Sequence, residues 1–107
     1  MTDTPPIAEP TRAEVDSLIG ATLLEFGASW CGHCQAAQPV ITSALGLFPQ
    51  VRHIKIEDGK GRRLGRSFHV KLWPTLIFMK DGVELNRLVR QIPAPELSAS
   101  LQLITTA

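Results

Sequence analysis

Cys31 and Cys34 are the only thiols in a chain of 107 residues, and two residues separate them. A structural disulfide between them would close so short a loop that it removes little entropy from the unfolded chain. The pair therefore reads as a redox couple or as half of a metal site. Zinc normally takes four ligands, and with no second cysteine pair, His33, His53 and His69 would have to converge on these two. Redox exchange asks less of the sequence. The attacking species is the thiolate, so the first cysteine needs a depressed pKa, which a helix N-terminus supplies through its unpaired N–H groups. Cys31 is then the expected nucleophile, outermost and nearest the helix end, and Cys34, one turn deeper, resolves the mixed disulfide. Gly32 permits close approach of backbone and substrate. A protonated His33 would favour the Cys31 thiolate and make the couple more oxidising than a proline there would; plain surface exposure is its competing account.

The dithiol needs a strand that ends before it and a helix that starts on it. Ala21–Phe26 is a short apolar run closed by Gly27, as in a central strand buried on both faces, with Glu25 the anomaly. From Cys34 the amphipathic pattern QAAQPVITSALGLF predicts a helix that Pro39 should kink. A capping-box spacing, Thr11 to Glu14, opens a short helix over Thr11–Ile19 that ends near Gly20. Val51–Ile56 alternates like a strand, and residues 59–68 read as a loop into a short helix. Thr75–Lys80 and Val83–Val89 are strands joined by an Asp81-Gly82 turn, and Pro93–Leu103 is a terminal helix. A strand–helix–strand unit implies parallel pairing and the hairpin an antiparallel pair. The expectation is an α/β fold, a central mixed sheet with helices on both faces.

Phe26-Gly27-Ala28-Ser29-Trp30-Cys31-Gly32-His33-Cys34, with Pro39 beyond, resembles the active-site segment of thioredoxins. Its Cys-Gly-His-Cys core is similar to that of protein disulfide isomerase domains. Trp73-Pro74-Thr75 resembles the family's cis-proline loop and Lys80-Asp81-Gly82 its hairpin turn, so the likeness runs from about Ala21 to Leu101. It implies the thioredoxin fold, a catalytic Cys31/Cys34 redox disulfide, and substrate contacts at Trp73, Pro74 and Thr75. Where the family has an acid, this chain has Glu25, which becomes the base for Cys34, acting through water. A buried carboxylate tends toward a raised pKa, which suits that task. Lys55 matches a family lysine that could pair with Glu25; an exposed strand lysine is the alternative. Trp30 reads as a surface lid on the site, with core filling as its rival. Two positions depart from the family: Gly27 stands where a second tryptophan is common, and Arg90 where a glycine lines the substrate groove. With Arg87, Arg90 could narrow that groove or favour acidic partners.

A net charge of +1 argues against nucleic acid as a partner, and the short apolar runs fall well below the roughly 20 residues of a membrane span. Lys60, Arg62, Arg63, Arg66 and Lys71 form a basic run read as a solvated face. Residues 1–10 read as a flexible arm and 11–107 as a single domain. Met1–Glu9 lacks a basic and apolar leader pattern, so a cytoplasmic location is expected. The expected activity is thiol–disulfide exchange with protein disulfides by a monomer that needs no cofactor and takes electrons from a reductase or dithiol. A thioredoxin-like assembly factor or chaperone with little turnover is the alternative.

Overall fold

The computed structural model describes residues 9–106. Four strands lie in the order β2-β1-β3-β4. Strand β1 (Ala21–Gly27) is buried along its five inner residues, as its unbroken apolar run requires of a central strand. It pairs in parallel with β2 (Arg52–Glu57) and antiparallel with β3 (Thr75–Lys80), which continues through the turn into β4 (Val83–Val89). Gly82 sits in that turn at φ +80, and a Cβ there would stand 1.9 Å from the Asp16 carbonyl oxygen. Only glycine meets both conditions.

Alternation along the strands divides the apolar residues between two faces. Leu23, Leu76 and Phe78 pack under α2 (Gly32–Leu45) and α4 (Ala94–Thr105), through Ala37, Ile41, Leu97 and Leu101. Leu24, Phe26, Ile56, Ile77 and Met79 face the other way, against Val15 of α1 (Arg12–Asp16) and Leu64 and Phe68 beside α3 (Arg63–Ser67). The result is the mixed sheet with helices on both faces that the sequence pattern predicts.

The capping box forms, with the Thr11 side chain accepting from Glu14 N–H and the Glu14 carboxylate from Thr11 N–H. The first helix is nevertheless shorter than the pattern suggests, because Val15 alone packs inward and Ile19 stays in solvent. Of the arm expected over residues 1–10, residues 1–8 lie outside the described residues. Glu9 accepts a 2.9 Å hydrogen bond from Leu64 N–H. All five members of the basic run are exposed. Among the described residues no helix is long and apolar enough to cross a membrane.

Candidate active site

Where β1 ends, Ala28, Ser29 and Trp30 turn the chain into α2, and Cys31 is that helix's N-cap, with extended backbone. Its sulfur takes the place of the usual capping oxygen, accepting from Cys34 N–H at 3.2 Å. The Cys34 thiol lies 2.7 Å from the same sulfur and donates to it. Both cysteines are free and both are 7% exposed, so the expected difference in depth is absent. Trp73 packs against the cluster of Ala28, Cys31 and Cys34. Roles separate the two instead, with Cys31 the acceptor and Cys34 the donor. Burial pushes the Cys34 thiol up from 9.0 to about 11, helped by its hydrogen bond to Cys31 and by the charges of Cys31 and Glu25, while a backbone contact from Ala28 opposes. Cys34 is therefore a thiol near neutral pH. A further cause of close packing is Gly27, where an added Cβ would stand 2.7 Å from Cys34 Sγ.

Glu25 is buried at 3% exposure on the α2 face of β1. Its surroundings correct the raised pKa expected from burial. His53 Nε2 lies 2.7 Å from Oε1, and Gln38 Nε2 donates to Oε2 at 2.6 Å. Burial is the largest single influence and acts upward. The hydrogen bonds from His53 and Gln38 and the positive charge of Lys55 together outweigh it and hold the carboxyl below its ordinary 4.5. Glu25 is thus an anion with both oxygens engaged. Lys55, opposite Glu25 in register, does not pair with it as expected. Its ammonium donates to Gln38 Oε1 at 3.0 Å and acts on Glu25 by charge alone. Gln38 also donates to the Cys34 carbonyl at 3.1 Å, tying the carboxylate to the dithiol helix.

Trp30 lies on the surface, 73% exposed, with its ring edge-to-face on Trp73 at 5.3 Å between centroids. Trp73 is anchored from below by Asp58, whose Oδ2 accepts from the indole N–H at 2.8 Å. The Trp73–Pro74 bond is cis. Thr75, expected at the substrate groove, turns inward: it is buried, and its hydroxyl donates to Leu72 O. Arg90 has φ +66, the left-handed region, at the position where the family carries glycine. Its N–H donates to the Pro74 carbonyl at 2.8 Å, so the backbone here secures the proline loop. Its Nε is buried without a hydrogen-bond partner. Arg87 does not join Arg90 in the groove, because it forms a bidentate pair with Glu84 and donates to Phe68 O. Gly32 and His33 are exposed on the first turn of α2.

Three residues at the site had no redox role in the sequence: His53 on Glu25, which figured there only as a possible zinc ligand, Gln38 bonded to the Cys34 carbonyl, and Asp58 bonded to Trp73. The alternation of β2 puts His53 on the same face as Lys55, which was the available signal for it. As for a shared ion, His53 is engaged with Glu25 and His33 and His69 are exposed. Among the described residues no group of three or more His, Cys, Asp or Glu side chains is placed to hold one.

Comparison with known proteins bears on this arrangement. The thioredoxin family model matches residues 9–103. Thioredoxin 2 of Pseudomonas aeruginosa PAO1, solved in its reduced form, is 53% identical, with a TM-score of 0.79 over 90% of this chain and 89% of that one. A thioredoxin of Chlamydia trachomatis is 36% identical over 70 residues, 65% of this chain and 69% of that protein. Thioredoxin-2 of Pyricularia oryzae is 31% identical over 77 residues, which are 72% of this chain but only 44% of that longer protein. The family match runs through nearly every element described above and takes in the dithiol; the chain belongs to the thioredoxin family of thiol–disulfide oxidoreductases.

Proposed function

We propose that the chain exchanges disulfides with protein substrates through Cys31 and Cys34. The thiolate of Cys31 attacks a substrate disulfide, releasing one substrate thiol and leaving a mixed disulfide on Cys31. Cys34 then attacks Cys31 Sγ, the second substrate thiolate leaves, and two electrons have passed from the dithiol to the substrate. The observation that carries this reading is the pair of free thiols at a strand–helix junction, with Cys31 sulfur as the acceptor of both Cys34 donors. Glu25 accepts the Cys34 proton through water, in keeping with their lining one cavity. Trp73 and Trp30 border the surface where an extended substrate chain would lie, beside Arg90 and the buried Pro74.

The reaction needs no bound cofactor. Electrons return from a separate reductase or dithiol. The chain works as a monomer with residues 11–107 as one unit, in the cytoplasm and without nucleic acid. His33 makes the couple more oxidising than a proline in its place. The test is reduction of insulin disulfides with a chemical dithiol as electron source. Wild type should catalyse it, Cys31→Ala should be inactive, and Cys34→Ala should accumulate mixed disulfides. No rate above background from correctly folded wild type would overturn the reading.

A further inference from the structure

The resolving step requires Cys34 to lose a proton that its burial makes costly to remove. Glu25 and Cys34 share the walls of a cavity of about 350 Å³, with Gly27, Gln38, Lys55 and Glu57 among its other walls. A space of that size holds several waters, since each takes about 30 Å³ in the liquid, so a proton has a path from sulfur to carboxylate. What controls the step is then how good a base Glu25 is. Against it lies an imidazole, the side chain type that changes charge in the neutral range. His53 lies on Glu25 at 2.7 Å, keeps 27% of its side chain exposed, and so exchanges protons with solvent. Glu25 faces it from β1, and Lys55 and Glu57 share its face of β2. From α2 the uncharged Gln38 shares the Glu25 carboxylate with the ring.

We propose that His53 is a positioning residue that makes the resolving step pH-sensitive: with its ring protonated it holds Glu25 as a paired anion and withdraws it as proton acceptor for Cys34, and with its ring neutral it frees Glu25 to act. The inference rests on the oxidoreductase reading above. In the step itself the Cys34 S–H bond breaks and its proton passes to Glu25. The Cys34 sulfur bonds to Cys31 Sγ, and the substrate sulfur leaves as thiolate with the electrons of the broken S–S bond. The histidine ring bonds to the carboxylate and not to the thiol, so its charge acts first on the base.

An adjacent opposite charge moves a carboxylate by about 1–3 pKa units. With roughly half of such a change felt in the proton-transfer rate, the effect is about three- to thirtyfold. The experiment loads Cys31 of the full chain with a chromogenic aryl thiol as a mixed disulfide and follows aryl thiolate release from about pH 5 to 9, across the range where histidines titrate. Wild type should show an inflection within that range. His53→Gln, which keeps an uncharged donor for Glu25, should lose the inflection and release faster than wild type at the acid end. His53→Asn should behave alike, and Lys55→Met should keep the inflection. A His53→Gln profile that follows wild type, or is slower by one factor at every pH, overturns the proposal; so does loss of the inflection in Lys55→Met. Wild type that releases no thiol at any pH overturns the oxidoreductase reading itself.

Discussion

Replacing Gln38 by leucine tests the account of Glu25 most directly. Gln38 places an N–H on Glu25 Oε2 at 2.6 Å and receives Lys55 on its own carbonyl oxygen. Leucine keeps the bulk and removes these two contacts together with the hydrogen bond to the Cys34 carbonyl. A hydrogen bond to a charged group contributes about 1.5–3 kcal/mol, and losing it raises the pKa of Glu25. In wild type the folded-state pKa of Glu25 lies below its unfolded value, so its contribution to stability is present above pH 4.5 and fades as the pH falls through the folded value. In Gln38→Leu less opposes burial, so the folded value moves up and that contribution shrinks. The stability difference between the two proteins should therefore carry a pH-dependent part of about 1.5–3 kcal/mol at pH 7 that fades as the pH falls through the wild-type folded value. Urea denaturation at a series of pH values measures that difference, and carbon-detected NMR titration of Glu25 measures its cause. A stability difference that stays constant across pH, or a Glu25 resonance that titrates where it does in wild type, would show that Gln38 does not hold Glu25 as an anion.

The raised Cys34 pKa predicts behaviour at the alkaline end. Stability from this group is present below pH 9 and is lost as the pH rises toward 11, by about 3 kcal/mol in all; reduced Cys34→Ala should show a flatter decline in denaturant titrations over that window. Gly27→Ala sets a methyl group 2.7 Å from Cys34 Sγ and should destabilise the reduced protein by roughly 1–3 kcal/mol, the usual cost of overpacking, seen as a lower denaturation midpoint. Arg90→Gly removes a left-handed strain of about 1 kcal/mol, so it should hold or raise the melting temperature, while turnover of acidic client peptides falls relative to neutral ones.

How far the sequence could be read depended on how local each feature was. The dithiol, its strand and its helix lie within twenty-five residues, and the apolar run, the two cysteines and the amphipathic pattern are each legible without knowing what packs on them. The hairpin was equally open, since Asp81-Gly82 dictates its own turn, and both strands have the bounds their patterns predict. The first helix came out shorter because propensity and a capping box begin a helix but packing has to continue it, and only Val15 packs.

Glu25 marks where local reading ends. That a carboxylate in an apolar strand would be buried follows from the strand alone. The direction of its pKa does not, because burial and hydrogen bonding oppose each other and the sequence displays only the first. The second comes from His53, placed by parallel pairing of strands, and from Gln38, placed by how α2 lies across the sheet. Both depend on register and packing between distant segments. The same holds for Arg90. Its type suggested a charge for the groove, yet its observed contribution to the loop is a backbone N–H on Pro74, which is available because the backbone adopts the conformation glycine usually takes. A residue's type indicates what its side chain can do; whether the fold uses the side chain or the backbone is decided by φ and ψ. At Cys31 the two coincide, since capping α2 from an extended backbone is what brings the sulfur onto the Cys34 N–H, and that is why the chemistry of the pair could be read from its spacing.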